Sequence, residues 1–233
     1  MSKVAVPETF EGFADRDARF FRALARNQRR EWFEAHRKEY EQGWLGPMKT
    51  LLTEMRDRLD PLFPRHPLGP PKVFRIYRDV RFSKDKSPYK THIGGYVGIA
   101  GSGEGPSGTA ALYVHIGADE LFVASGQYMM DGPALARFRQ AVVDDRRGKP
   151  LAALLARLAR AGFSPGSHDT LQRVPRGFDP DHPRADLLKR KGLIVSFPDP
   201  PRKLLVTRPF IDWLVTHTKK VVPVVEWLAS LDE

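Results

Sequence analysis

Along the first sixty residues apolar side chains recur at intervals of three and four, and in the middle of the chain the interval shortens to two. Residues 15–26 set Ala18, Phe21, Leu24 and Ala25 on one side of a helical period, and Asn27 punctuates the run. Residues 29–42 predict a second helix with Trp32, Phe33, His36 and Tyr40 on one broad face, which reads as core because aromatic rings bury so much area. Residues 44–59 predict a third, with Leu51, Leu52, Met55 and Leu59 inward. Asp60-Pro61 and the proline-rich stretch 63–71 end the helical run, since proline has no N–H to continue the ladder.

Residues 73–82 then alternate. Phe74, Ile76, Val80 and Phe82 fall on one face, Arg75, Tyr77, Asp79 and Arg81 on the other, and Arg78 interrupts the apolar side, so the period is that of a strand. Residues 83–87 read as a polar turn that Pro88 closes. Ile93, Val97 and Ile99 mark the next strand, 100–109 is a glycine-rich loop, and Leu112, Val114 and Ile116 follow at period two. A tight connection at 117–120 leads to Leu121 and Val123, so an antiparallel meander is predicted. If 93–99 pairs with 111–116 so that Val97 opposes Leu112 and Gly95 opposes Val114, the apolar faces coincide. The opposite face then collects His92, Gly94, Tyr96 and Gly98 with Tyr113 and His115, where glycine leaves room either for a ligand or for a closely packed helix.

The helical period returns at 133–143, opened by Asp131-Gly132, and at 151–161, where Gly162 stops it. Strands are predicted at 170–174 and 192–197. Between them lies a short helix through Arg190, with Asp181 as its N-cap and Pro183 in its first turn. Residues 208–231 predict a last helix, interrupted or kinked at Pro223. Strands grouped in the middle with helices segregated on either side make the fold class α+β. We expect a central, mainly antiparallel sheet, an N-terminal helical lobe over 8–62 and helices packed on the sheet in a body over 72–233. The length of 233 residues suits one domain over 1–233.

Composition changes this picture little, and charge changes it more. With 41% hydrophobic residues the chain has the material for a core, so its charge belongs to the surface. There is no leader pattern and no apolar run near the ~20 residues that span a bilayer, so a cytoplasmic protein without membrane contact is expected. The lack of cysteine excludes disulfides, thiolate nucleophiles and Cys-held zinc, and leaves His and carboxylates for any metal. Asp179, Asp181 and His182 are the group that suits a hard metal, but the capping role of Asp181 competes with that reading, and neither metal nor cofactor is predicted. The net charge is +10, and 25 of the 38 basic residues are Arg. Arg presents a planar fork matched to carboxylate and phosphate, which favours an anionic partner; the competing explanation is codon bias.

The cations concentrate in 74–92. As a strand, 73–82 would hold Arg75, Tyr77, Asp79 and Arg81 in one row about 7 Å apart, with Asp79 orienting an Arg toward a second, bidentate acceptor. The turn beyond adds Lys84, Lys86 and Lys90, with Asp85 as local partner and backbone N–H groups of the kind that receive phosphate oxygens. The candidate ligand-binding residues are Arg75, Tyr77, Arg78, Asp79, Arg81, Lys84, Lys86, Tyr89, Lys90, His92 and His115. The competing reading is a salt-bridged strand and turn in which Asp79 and Asp85 neutralise their neighbours. His92 and His115 suit either an acid/base pair, since imidazole titrates near neutrality, or hydrogen-bonded structural roles. No P-loop, nucleophile elbow, HExxH or GxGxxG occurs, so no catalytic residue is assigned.

The run FRIYRDVRFSKDKSPYKTH, from Phe74 to His92, resembles the signature of a bacterial and fungal family catalogued as domain of unknown function 2461. Asn27, Arg30-Glu31-Trp32-Phe33 and Tyr40 upstream, with Gly177-Phe178-Asp179, His182-Pro183 and Lys189 downstream, extend the resemblance to nearly the whole chain. It implies that 74–92 is the place of function and implies no reaction. Three functions stay open. The leading one is a pocket for a small phosphate- or carboxylate-bearing ligand built on the Arg75-to-His92 segment. The others are a nucleic-acid-binding domain, with Tyr77, Tyr89 and Tyr96 stacking on bases, and a non-catalytic protein-interaction domain.

Overall fold

The computed structural model describes residues 9–81, 84–103 and 105–232, and its architecture is α+β. Among the described residues six strands make one antiparallel sheet: β1 (Lys72–Val73), β2 (His92–Gly98), β3 (Thr109–Gly117), β4 (Leu121–Gln127), β5 (Ser164–Gly166) and β6 (Leu193–Ser196). Their spatial order is β1-β2-β3-β4-β6-β5. The predicted register is found: Val97 opposes Leu112 and Gly95 opposes Val114. Ile93, Val97, Leu112, Val114 and Ile116 thereby share one face and are each exposed by 1% or less.

The helices are α1 (Arg19–Arg26), α2 (Arg30–Tyr40), α3 (Gly46–Leu59), α4 (Gly132–Val143), α5 (Asp145–Arg160), α6 (Ala185–Leu188) and α7 (Pro209–Ala229). The first three form the N-terminal helical lobe, and α3 and α7 cover the aliphatic face of the sheet. Gly95 marks the closest approach. A Cβ there would lie 2.5 Å from Leu52 Cδ1 and 2.8 Å from the Lys72 carbonyl oxygen, so only glycine lets α3 settle on β2.

Helix ends follow local chemistry. α1 starts later than its period predicts because the Asp15 carboxylate accepts the N–H groups of Asp17 and Arg19, and Ala18 takes a φ of 52°, which turns the chain before it coils. Between α2 and α3 runs a π-helical turn, Glu41–Leu45, that carries Trp44 inward against Phe13 and Phe21. Asp131 caps α4 as expected, accepting the Ala134 N–H at 2.9 Å, and Gly162 ends α5 with a φ of 86°. α7 is not interrupted at Pro223: it runs as one helix through that residue, where the bond proline cannot make is the one to the carbonyl of exposed Lys219. No helix among the described residues is long and apolar enough to cross a membrane.

Three further expectations are corrected. The strand over 73–82 shrinks to Lys72–Val73. Beyond it the chain keeps company with 88–94 through Phe74 N–H to Gly94, Lys90 N–H to Ile76 and Arg78 N–H to Pro88, and then leaves the sheet. Asp79 and Asp85 each draw the backbone N–H two residues ahead into a local turn, and Pro88 has no N–H for the ladder, so extended pairing stops. Phe82 and Ser83, assigned to the strand and turn, lie outside the described residues, as does Glu104 of the glycine-rich loop. Residues 170–174 form only the bridge Thr170 to Arg190, since neither alternate set in that run is consistently apolar; the edge strand is β5, where Pro165 is tolerated because an edge leaves one side unpaired. Asp181 does not cap α6. The helix begins at Ala185, and it is His182 Nδ1 that accepts the Arg184 N–H.

Candidate functional site

The face of the sheet turned away from α3 and α7 bounds a cavity of about 460 Å³. Strand alternation delivers its wall: His92 and Tyr96 from β2, Tyr113 and His115 from β3, Phe122 and Ala124 from β4, Ile194 and Ser196 from β6. Phe74 and Tyr128 add rings from the flanking segments, and Gly105 and Gly108 add loop backbone. The register sets His115 opposite Phe122 and Ala124 opposite Ser196. Phe122 stacks on His115 at 4.6 Å, His115 lies 4.2 Å from His92, and Phe74 sits 5.7 Å from Tyr96 and 6.3 Å from Tyr113. The space at Gly94 is taken by a ring: a Cβ there would be 3.0 Å from the Tyr113 Oη. The two glycines thus answer differently, Gly95 admitting a helix and Gly94 a tyrosine at the cavity wall.

Burial keeps both histidines neutral. His115 is depressed to about 4 by burial, and His92 to about 4 by burial first and then by His115 and Lys90. His115 Nε2 lies 3.4 Å from the Glu120 carboxylate, which only accepts and so favours the tautomer with the proton on that nitrogen. Its Nδ1 then accepts the Tyr113 hydroxyl at 3.0 Å. Burial pushes the Tyr113 phenol up to about 12. A raised phenol and a lowered imidazole both oppose proton transfer from Tyr113 to His115, so the contact between them orients hydrogens. His115 is thus engaged by Tyr113 on one nitrogen and faces Glu120 with the other. His92 has no hydrogen-bond partner among the described residues and offers one donor and one acceptor to the cavity.

The predicted row of Arg75, Tyr77, Asp79 and Arg81 is not formed. Arg81 closes on Asp79 with bonds of 3.0 and 2.7 Å and holds that carboxyl down at about 2. Arg75 and Tyr77 instead line a groove of about 480 Å³ on the helical side, where Arg37 reaches the Tyr77 Oη at 3.2 Å. Arg78 pairs with Asp85 at 2.9 Å while its Nε is buried with no hydrogen-bond partner among the described residues. Lys86 donates to the Val80 carbonyl, and Lys84 stays on the exposed loop. Tyr89 is core, stacked on Phe33 at 4.5 Å.

Lys90 differs from the rest. Its Nζ stands 5.4 Å over the Phe74 ring, on the wall of the cavity, and it makes no ion pair among the described residues. Burial lowers its pKa, and so does repulsion from Arg75 and Arg78. Of the predicted residues, then, His92 and His115 line the cavity, and Lys90 is not among the lining residues but stands over one of them, Phe74. The sequence reading missed Phe122, Glu120, Tyr128, Ile194 and Ser196. Extending the β2–β3 register by one hairpin points to Phe122; β6 is the strand read at 192–197, but no local signal announces its pairing with β4. Among the described residues no group of three or more His, Asp or Glu is placed to hold a metal, and His182 is occupied by its bond to Arg184.

Residues 17–227 match the family described as conserved hypothetical protein (DUF2461), and the chain belongs to it. No curated protein matches the chain.

Proposed function

We propose that this member of the family binds a small molecule whose flat, largely apolar body lies in the open-face cavity and whose phosphate or carboxylate meets Lys90, with Arg78 and Arg75 behind it. The observation that carries the reading is Lys90 itself: a partly buried ammonium on the Phe74 wall, beside His92, repelled by two guanidiniums and without an ion pair among the described residues. Arg78 has Asp85 beside it at 2.9 Å, so the main cost is that of holding Lys90 near Arg75, a free energy that an arriving anion recovers. The cavity volume of about 460 Å³ lies in the range of small-molecule sites, and its aromatic wall suits a planar body.

Calorimetric titration with planar aromatic phosphates and carboxylates tests this on wild type and Lys90→Gln. A charge-assisted contact is lost in the variant, so affinity should fall roughly 10- to 100-fold. Neutral analogues that bind as tightly as the anions, or a Lys90→Gln variant that binds as well as wild type, would overturn the proposal. Oligonucleotides supply the control: binding to them that weakens steeply with salt would favour a nucleic-acid-binding domain instead.

A further inference from the structure

We infer that the ligand of the open-face cavity is a lactam-bearing heterocyclic phosphate or carboxylate, which presents a ring N–H to the Tyr113 oxygen and a carbonyl to the Tyr96 hydroxyl. This rests on the anion-binding reading above and adds the polarity of the wall to it. Glu120 only accepts, so His115 carries its proton on Nε2, and its Nδ1 takes the single hydrogen of Tyr113. The Tyr113 oxygen is left with lone pairs alone and calls for a donor. Tyr96 is the reverse case. Its oxygen accepts the Gly105 N–H at 2.9 Å, so its hydroxyl hydrogen remains for an acceptor.

Tyr96 and Tyr113 are direct partners across β2 and β3, and the Phe74 ring contacts both, so a flat ring lying along Phe74 has a tyrosine on either side. A simple aromatic carboxylate brings no N–H to this wall. A phenol brings its donor and acceptor on one atom, which serves both tyrosines only where their two oxygens lie within hydrogen-bond reach of a single point. A lactam supplies N–H and C=O from the same ring. The neutrality of His115 supports the assignment, because an imidazolium would donate from both nitrogens and turn the Tyr113 hydrogen toward the cavity.

Two measurements decide it. In the free protein, ¹⁵N NMR should find His115 as the Nε2–H tautomer, and a dominant Nδ1–H form would overturn the inference. Inosine 5′-monophosphate and its N1-methyl derivative then differ in the one N–H at issue. Wild type should prefer the former by about tenfold or more, because the methylated ring leaves the Tyr113 oxygen without its donor. In Tyr113→Phe the ratio should fall to near one. Glu120→Ala removes the acceptor facing Nε2 from an exposed position; there the tautomer should shift toward Nδ1–H and the ratio should narrow. Equal binding of the two nucleotides to wild type, or binding of 1-naphthyl phosphate with neither nucleotide, defeats the lactam and leaves the anion pocket standing. Binding of no anion at all defeats both.

Discussion

On the helix-covered face of the sheet, Ile93, Val97, Leu112, Val114 and Ile116 close against α3 and α7; one residue further along each strand, His92, Tyr96, Tyr113, His115 and Phe122 bound a cavity. The first set is aliphatic and interlocks by volume. The second is aromatic and holds its shape through directed contacts: the His115–Phe122 stack, the Tyr113–His115 hydrogen bond and the Tyr96 bond to Gly105. Directed contacts fix side chains without filling space. A sheet can therefore place its stability on one face and keep an open, rigid wall on the other, with a one-residue step in the strand separating the two.

The largest effect should separate the faces directly. Leu112→Ala removes a fully buried side chain from under the helices and should cost about 2–5 kcal/mol, read from urea midpoints. Phe122→Ala, on the half-exposed wall, should cost about 1 kcal/mol, since much of its ring already meets the cavity. Equal losses would mean that the open face is core, and the contrast would collapse.

Acid should distinguish the faces next. The histidines on the open face sit at about 4 in the folded chain against an ordinary value of about 6.5, so below 6.5 the unfolded chain binds more protons than the folded one. Stability should be full above pH 6.5 and fall as the pH drops toward 4. At His115 the loss should be on the order of 2 kcal/mol, because each unit of depression is worth about 1.4 kcal/mol. Urea midpoints at pH 7.5 and 4.5 measure it, and His115→Gln should flatten the decline. An unchanged acid sensitivity in that variant would place the titration elsewhere.

What the sequence made legible follows the same division. Helical period and strand alternation sufficed for the α+β class and for the β2–β3 register, because Gly95, Val97, Leu112 and Val114 allow few alignments that bury one face. The same register carries His92, Tyr96, Tyr113 and His115 to the other face. It failed where local polar chemistry overrides alternation. Residues 73–81 have the composition of a strand, yet Asp79 and Asp85 fold the chain on itself and scatter the expected basic row. It stopped short again at β6: the strand over 192–197 was legible, but its place beside β4 was not, because α4, α5, β5 and α6 intervene and nothing local brings Ile194 and Ser196 to the cavity.

The smallest effect concerns the loop that belongs to neither face, and it bears on what the basic segment is for. Arg81 and Lys90 read alike in the sequence. In the fold Arg81 is forked onto Asp79 in open solvent, and Lys90 stands over the ring of Phe74, which lines the cavity. The low Asp79 value of about 2 reports Arg81's hydrogen bonds and not burial, and water screens an exposed pair of this kind. Arg81→Gln should leave the melting temperature unchanged within error and shift the affinity for a planar aromatic phosphate by less than about twofold, where Lys90→Gln should shift it at least about tenfold. The two variants remove one positive charge each, so a general basic field would make them equal. If Arg81→Gln weakened binding as much as Lys90→Gln, the segment would act through its summed charge, and the open face would lose its claim to a site of its own.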